Sequence, residues 1–344
     1  MPDTPLPLLP TTVIGSHATP SWLWTAFEEI EKGNYGLTDI RETYDDAVNI
    51  AMMDQERAGI DIISDGEMRR FFFVQGFYDR MSGLVNEPPL RKTGVYGYDS
   101  PTRYQAAEKV TVPDGLGIVE EFKYAREHTE KPIKVTCPGP LTITIHIRPG
   151  EVYKNRLDLA WEFAAVINKE LKALVEAGAD FIQLDEPSFA IVPGELDEWV
   201  NLYNAAVEGV DAKLALHVCF GNLGSRPRGK RTYRWMFPGL LEVRAEQLVL
   251  EFANREMLES DLWKEFSIDR ELGGGVIDIK SFYVETPEDV AERIRELLKY
   301  VAPEKLYVSP DCGFFQLPRW LTVLKLQAMV KGTEIVRQEL GAGR

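Results

Sequence analysis

Cysteine is scarce in this chain: Cys137, Cys219 and Cys312 are the only three in 344 residues. So small and odd a number over such a length excludes a disulfide framework. Long apolar runs are also missing, since none approaches the ~20 residues that cross a bilayer. The opening Met1-Pro2-Asp3-Thr4-Pro5 has no basic segment followed by an apolar one, so no leader is read there. Positive charge is the third shortage. Lys and Arg total 39 against 54 Asp and Glu, a formal net charge of −15. Such a surface repels nucleic acid and anionic membranes. The expectation is a cytoplasmic protein that partners neither.

Core material is present. Hydrophobic residues make up 44% of the chain and charged ones 27%, a balance that excludes global disorder. Short apolar runs recur at 12–16, 60–64, 133–137, 181–184, 214–218, 248–252, 275–279 and 306–309, with helical patterning between them. Strands alternating with helices argue for parallel βαβ units, and eight such units for an α/β fold of the (β/α)8, TIM-barrel type. Over 158–176, Leu159, Phe163, Val166, Ile167, Leu171 and Leu174 fall at helical spacing. Ala177-Gly178 then ends that helix, as Ala58-Gly59 ends an earlier one. Thr286-Pro287-Glu288-Asp289 reads as a helix start. The whole chain, 1–344, reads as one catalytic domain. The stretch between the second and third strands is too long for a plain connection, so about 70–130 is expected to be an insertion, with a hairpin beside the barrel mouth.

In such barrels the chemistry sits where strands end. There the chain has Gly15-Ser16-His17, Asp65-Gly66-Glu67, Gly139-Pro140-Leu141-Thr142, Asp185-Glu186, His217-Val218-Cys219, Glu251, Lys280 and Asp311-Cys312. His217 and Cys219 are two apart and share a strand face. With Glu251 and Cys312 they supply an imidazole, two thiols and a carboxylate, a donor set suited to zinc. Coincidence also yields a His-x-Cys, and a lone Cys is often only a small buried apolar residue, the reading given to Cys137. Glu67 and Asp185 suit either helix capping or a substrate ammonium group. Arg226, Arg228, Lys230, Arg231 and Arg234 crowd one segment. They read as a solvated loop or as a dock for an anionic group or acidic partner.

Taken together, Thr12-Val13-Ile14-Gly15-Ser16, Asp65-Gly66-Glu67, Gly139-Pro140-Leu141-Thr142, Gln183-Leu184-Asp185-Glu186-Pro187, His217-Val218-Cys219, Leu250-Glu251 and Pro310-Asp311-Cys312-Gly313 resemble the C-terminal catalytic half of cobalamin-independent methionine synthase, in the family's order. The resemblance implies a zinc-dependent methyltransferase that makes methionine from homocysteine. It implies zinc on His217, Cys219, Glu251 and Cys312, with Glu251 the ligand that yields to the incoming thiol. Glu67 and Asp185 would hold the homocysteine ammonium, and Gly15 and Ser16 its carboxylate. The chain departs from the family at His146, where a folate-stacking Trp is usual, and at Lys280, where a His is usual. Both join the catalytic candidates. The family's second, N-terminal barrel also has no room here. These departures favour methylcobalamin or a methylated corrinoid protein as donor, with Arg226, Arg228 and Arg231 as candidate contacts. Methyltetrahydrofolate is the alternative donor. Coenzyme M is an alternative thiol, and a non-catalytic zinc or corrinoid scaffold is a reading from another class.

Overall fold

The computed structural model describes residues 5–71, 73–87, 102–222, 227 and 229–342. Nine strands occur among them: β1 (Ser82–Glu87), β2 (Arg103–Thr111), β3 (Val135–Pro138), β4 (Ile147–Arg148), β5 (Phe181–Asp185), β6 (Lys213–Val218), β7 (Gln247–Glu251), β8 (Glu271–Ile277) and β9 (Leu306–Pro310). Six of them form one parallel sheet in the order β3-β5-β6-β7-β8-β9. Nearly every residue of these strands is buried, as expected where helices cover a parallel sheet. A cluster of Ile14, Ile62, Phe181, Ala215, Val249 and Tyr307 packs apart from the main core.

The first two expected strands are single parallel bridges instead. Thr11 bridges Val308, Thr12 bridges Ile62, and Ile63 bridges Ile133. Side chains explain the shortening, because they take the backbone groups a longer ladder would use. Asp61 Oδ2 accepts from Thr11 N and from Thr11 Oγ1, each at 2.8 Å. Gln55 Nε2 donates to Ser64 O at 2.9 Å, and its Oε1 accepts from Ser64 N at 3.0 Å. The bridges run from β9 through both segments to the lead-in of β3.

The seventh expected strand also shifts, from 275–279 to 271–277. Gly273, Gly274 and Gly275 hid it, since glycine usually weakens a strand. Here close packing requires them. A Cβ on Gly273 would lie 2.9 Å from Val249 Cγ2, and one on Gly275 would strike the Asp311 carboxylate and sit 3.0 Å from Leu250 O.

The helix signals act as the sequence implies. Asn155 Oδ1 caps Arg156–Glu176 by accepting from Asp158 N at 3.0 Å. Thr286 and Asp289 form a reciprocal capping box on Pro287–Leu297. Gly59 and Gly178 take left-handed φ values of 92° and 97°. β1 and β2 pair antiparallel, and β4 adds to β2 in parallel, making a second sheet within and beside the 70–130 stretch. No described helix is long and apolar enough to cross a membrane.

Gly275→Ala must push against backbone, whereas Gly178→Ala meets nothing within 4 Å and is strained only by its φ. Urea unfolding should show Gly275→Ala costing about 1–3 kcal/mol, and the larger loss of the two; equal losses would remove the packing account of β8.

Candidate active site

β6 ends in His217-Val218, and its alternation sends His217 and Cys219 the same way. Cys312 follows β9, three strands along in sheet order. The Cys219 and Cys312 sulfurs are 3.4 Å apart. One donor atom from each of His217, Cys219 and Cys312 lies within 4.8 Å of the other two, and all three residues are buried. His217 Nδ1 is 2.7 Å from Asp185 Oδ1, which leaves Nε2 buried without a partner. A carboxylate that orients the far nitrogen while the near one stays free is the usual support of a metal-ligating histidine.

The electrostatics agree. Burial alone would lower the His217 imidazolium, but the Cys219 thiolate and Asp185 lift it to about 10. Cys219 is held well below the ordinary thiol range by its hydrogen bond to Cys312, and His217 and Lys280 help against burial. Cys312 moves the other way, raised by that same hydrogen bond and by burial. The pair therefore keeps one thiolate, and a divalent cation would displace the remaining protons.

Two residues that the sequence did not single out brace this group. Tyr233 Oη donates to Val218 O and accepts from Glu251 N, both at 2.9 Å, tying the ends of β6 and β7 together. Asn222 Nδ2 donates to Gly313 O at 2.8 Å. Asp311, beside Cys312, accepts from Phe252 N and Ala253 N at 2.9 Å and from Asn254 N at 2.6 Å. No local pattern around Tyr233 could have signalled its role, which depends on where two distant strands end.

Glu251 stands outside the three-residue group. Its Oε2 accepts from Lys280 Nζ at 2.6 Å and from Phe220 N at 3.2 Å, while Oε1 is buried and unpartnered. The Lys280 side chain is only 2% exposed. Burial raises the Glu251 carboxyl, against the pull of Lys280.

A cavity of about 540 Å3 opens over the group, within the size range of small-molecule sites. Ser16, Glu67, Asp185, His146, His217, Cys219 and Cys312 all line it. Glu67 sits at a φ of 56°. Its Oε1 accepts from Thr136 Oγ1 at 2.6 Å and from Arg70 Nη1 at 3.2 Å. Burial pushes its carboxyl up to about 7, with Arg70 opposing and Asp185 reinforcing. Gly15 contributes by having no side chain, since a Cβ there would strike the Glu67 carboxylate. Asp185 Oδ1 also accepts from Gln183 Nε2 at 2.8 Å, while Oδ2 is buried and free. Glu186 accepts from Leu141 N, Thr142 N and Thr142 Oγ1 at 2.7–3.1 Å and so fixes the loop that carries Thr142. His17, named at the first strand end but given no role, lines the cavity with Nε2 3.1 Å from Asp54 Oδ2.

The basic segment does not reach the cavity in its described part. Arg231 Nη1 donates to Asn254 O and Oδ1 at 3.0 Å, and Arg234 pairs with Glu265. Arg226 and Arg228 lie outside the described residues.

The family model described as "Cobalamin-independent synthase, Catalytic domain" matches residues 9–334. A methionine synthase of Sulfurisphaera tokodaii is 39% identical over 337 residues, covering 97% of this chain and 94% of that protein. One from Saccharolobus solfataricus is 38% identical over 339 residues, covering 97% of each. The solved B12-independent methionine synthase from Shewanella sp. W3-18-1, in complex with selenomethionine, superposes with a TM-score of 0.85 at 32% identity, over 98% of this chain and 100% of that one. These descriptions run against the expected methylcobalamin donor and corrinoid-protein partner, because the matching family is cobalamin-independent. From residue 9 to residue 334, this chain belongs to the cobalamin-independent methionine synthase family and is a methyltransferase.

Proposed function

We propose that the chain transfers a methyl group to the sulfur of homocysteine, with zinc seated on His217, Cys219 and Cys312 and with Glu251 as the exchangeable fourth ligand. The observation that carries this is the buried trio beside the cavity, two sulfurs 3.4 Å apart with an unpartnered imidazole nitrogen. The donors fit zinc in kind, though the structure supplies three of the four at close range. Zinc bound there would strip the proton from a thiol at neutral pH and leave the sulfur nucleophilic.

The remaining work falls to the chain's own side chains. Glu67 and the free Oδ2 of Asp185 offer two carboxylates to the substrate ammonium. Asp185 thereby orients His217 and meets the substrate at once. Ser16 lines the same wall, and Gly15 leaves room for the substrate carboxylate to approach the backbone. Two carboxylates favour an amino-acid thiol over coenzyme M, whose sulfonate they would repel. Methyl transfer is then chiefly a matter of alignment.

For the donor, a methyltetrahydrofolate is the reading that accords with a cobalamin-independent family. The outer cavity supports it, with Phe73, His146 and Phe315 as flat surfaces and Arg103 as a cation. We also read the sheet as a barrel of eight positions, supported by the three parallel bridges that link β9 to β3 through 11–12 and 62–63. The whole is one domain, with 70–130 inserted between the second and third positions.

Protein from zinc-replete cells should hold about one zinc per chain. Cys312→Ser should lose it, with turnover down about 100-fold or more, and keep its circular dichroism, since strands and helices supply the core. Metal-free wild-type protein would sink the proposal. In a donor panel methyltetrahydrofolate should support turnover and methylcobalamin should not; the reverse would overturn the donor reading.

Glu67 gives a pH signature. Its folded pKa of about 7 lies above the ~4.3 of a free glutamate. The fold thus binds an extra proton between these values, so Glu67 makes stability fall as pH rises through that window. Substrate binding runs oppositely, because the ammonium needs the carboxylate. The homocysteine KM should fall as pH rises through about 7, and Glu67→Gln should raise KM and remove that slope; an unchanged profile would exclude Glu67 from the site.

A further inference from the structure

Lys280 is buried beside the metal candidates, and the reaction as described gives it no task. Glu251 is the only carboxylate within ion-pair distance of it among the described residues. Asp311 also faces Lys280, but backbone amides of 252–254 occupy both its oxygens. The backbone holding Lys280 is itself braced. Lys280 N donates to Asp278 Oδ1 at 2.8 Å, which also accepts from Asn254 Nδ2 at 3.1 Å. Lys325 Nζ reaches Asp278 O at 2.8 Å. The ammonium is thus delivered to one place, the Glu251 carboxylate at the end of β7.

From this geometry we infer that Lys280 is a positioning residue: it holds the Glu251 carboxylate in a withdrawn position and so keeps the fourth metal site open to the substrate thiol. The inference rests on the zinc reading above. A buried carboxylate that leaves a metal with no partner carries a large desolvation cost. Lys280 offsets much of that cost, because Oε2 already rests on Nζ while Oε1 stays unpartnered and available. The carboxylate can exchange through Oε1 without losing its counter-charge. When the thiol enters and its proton leaves to solvent, Glu251 remains half of a neutral pair.

Without Lys280, the metal would be the carboxylate's best remaining partner. Lys280→Met should therefore tighten zinc and weaken the thiol together. Zinc release to a chelator should slow, and homocysteine binding to the cobalt(II)-substituted protein, read from the sulfur-to-cobalt charge-transfer band, should weaken by about 10- to 100-fold. A merely structural lesion would weaken both. Lys280→Arg should rescue most of the change. Lys280→Met added to Glu251→Gln should have no further effect on thiol binding, since no charge is left to compensate.

If Lys280→Met matches wild type in both readouts, or loses zinc faster, the inference is overturned while the zinc reading stands. If wild type itself takes up neither zinc nor cobalt, the zinc reading falls instead. Should Lys280→Met fail to fold, the double variant with Glu251→Gln carries the test. It must bind homocysteine at least as tightly as wild type, and weaker binding overturns the inference.

Discussion

One hydrogen bond joins the two halves of the cavity, the 2.7 Å contact between His217 Nδ1 and Asp185 Oδ1. It fixes which imidazole nitrogen is left over, and it leaves the other carboxylate oxygen buried and unpartnered. The contact exists because β5 and β6 pair in parallel with Asp185 directly opposite His217. A slip of one residue would send His217 and Cys219 to the other face of the sheet. Strand register is therefore the first condition for gathering these side chains, ahead of any single donor.

Around this contact the protein collects buried charges in compensated sets. Arg70 serves Glu67 and Glu121, Lys280 serves Glu251, and Lys325 serves Glu285. Such pairs seldom add net stability over apolar residues of the same size. Their value lies in holding ionised groups at fixed places away from water, where each acts at full strength. Stability comes from the apolar layers on both sides of the sheet.

Much of this was legible in the sequence, for identifiable reasons. Strand ends carry function in a parallel α/β fold, so polar residues closing apolar runs marked Glu67, Asp185, His217, Cys219, Glu251 and Cys312. Capping residues such as Thr286 and Asp289 act through neighbours in sequence, and they could be read locally. The β8 glycines could not, because their reason is the nearness of Val249 and Asp311. Tyr233 and Asn222 escaped for the same cause, since each bonds backbone brought close only by the fold. Glu251 was read as a metal ligand from its chemistry. Its pairing with Lys280 depends on β7 and β8 lying side by side.

The short bridges at Thr11, Thr12, Ile62 and Ile63 make a seam in an otherwise continuous ladder. Gly15, Ser16 and Glu67 follow directly from that seam, while His217, Cys219 and Cys312 hang from fully laddered strands. This wall of the cavity thus rides on the least cross-linked sector, where a small opening costs few backbone bonds. The His217, Cys219 and Cys312 trio rides on the continuously paired one. One sector can open without loosening the donors that a cation would need held still.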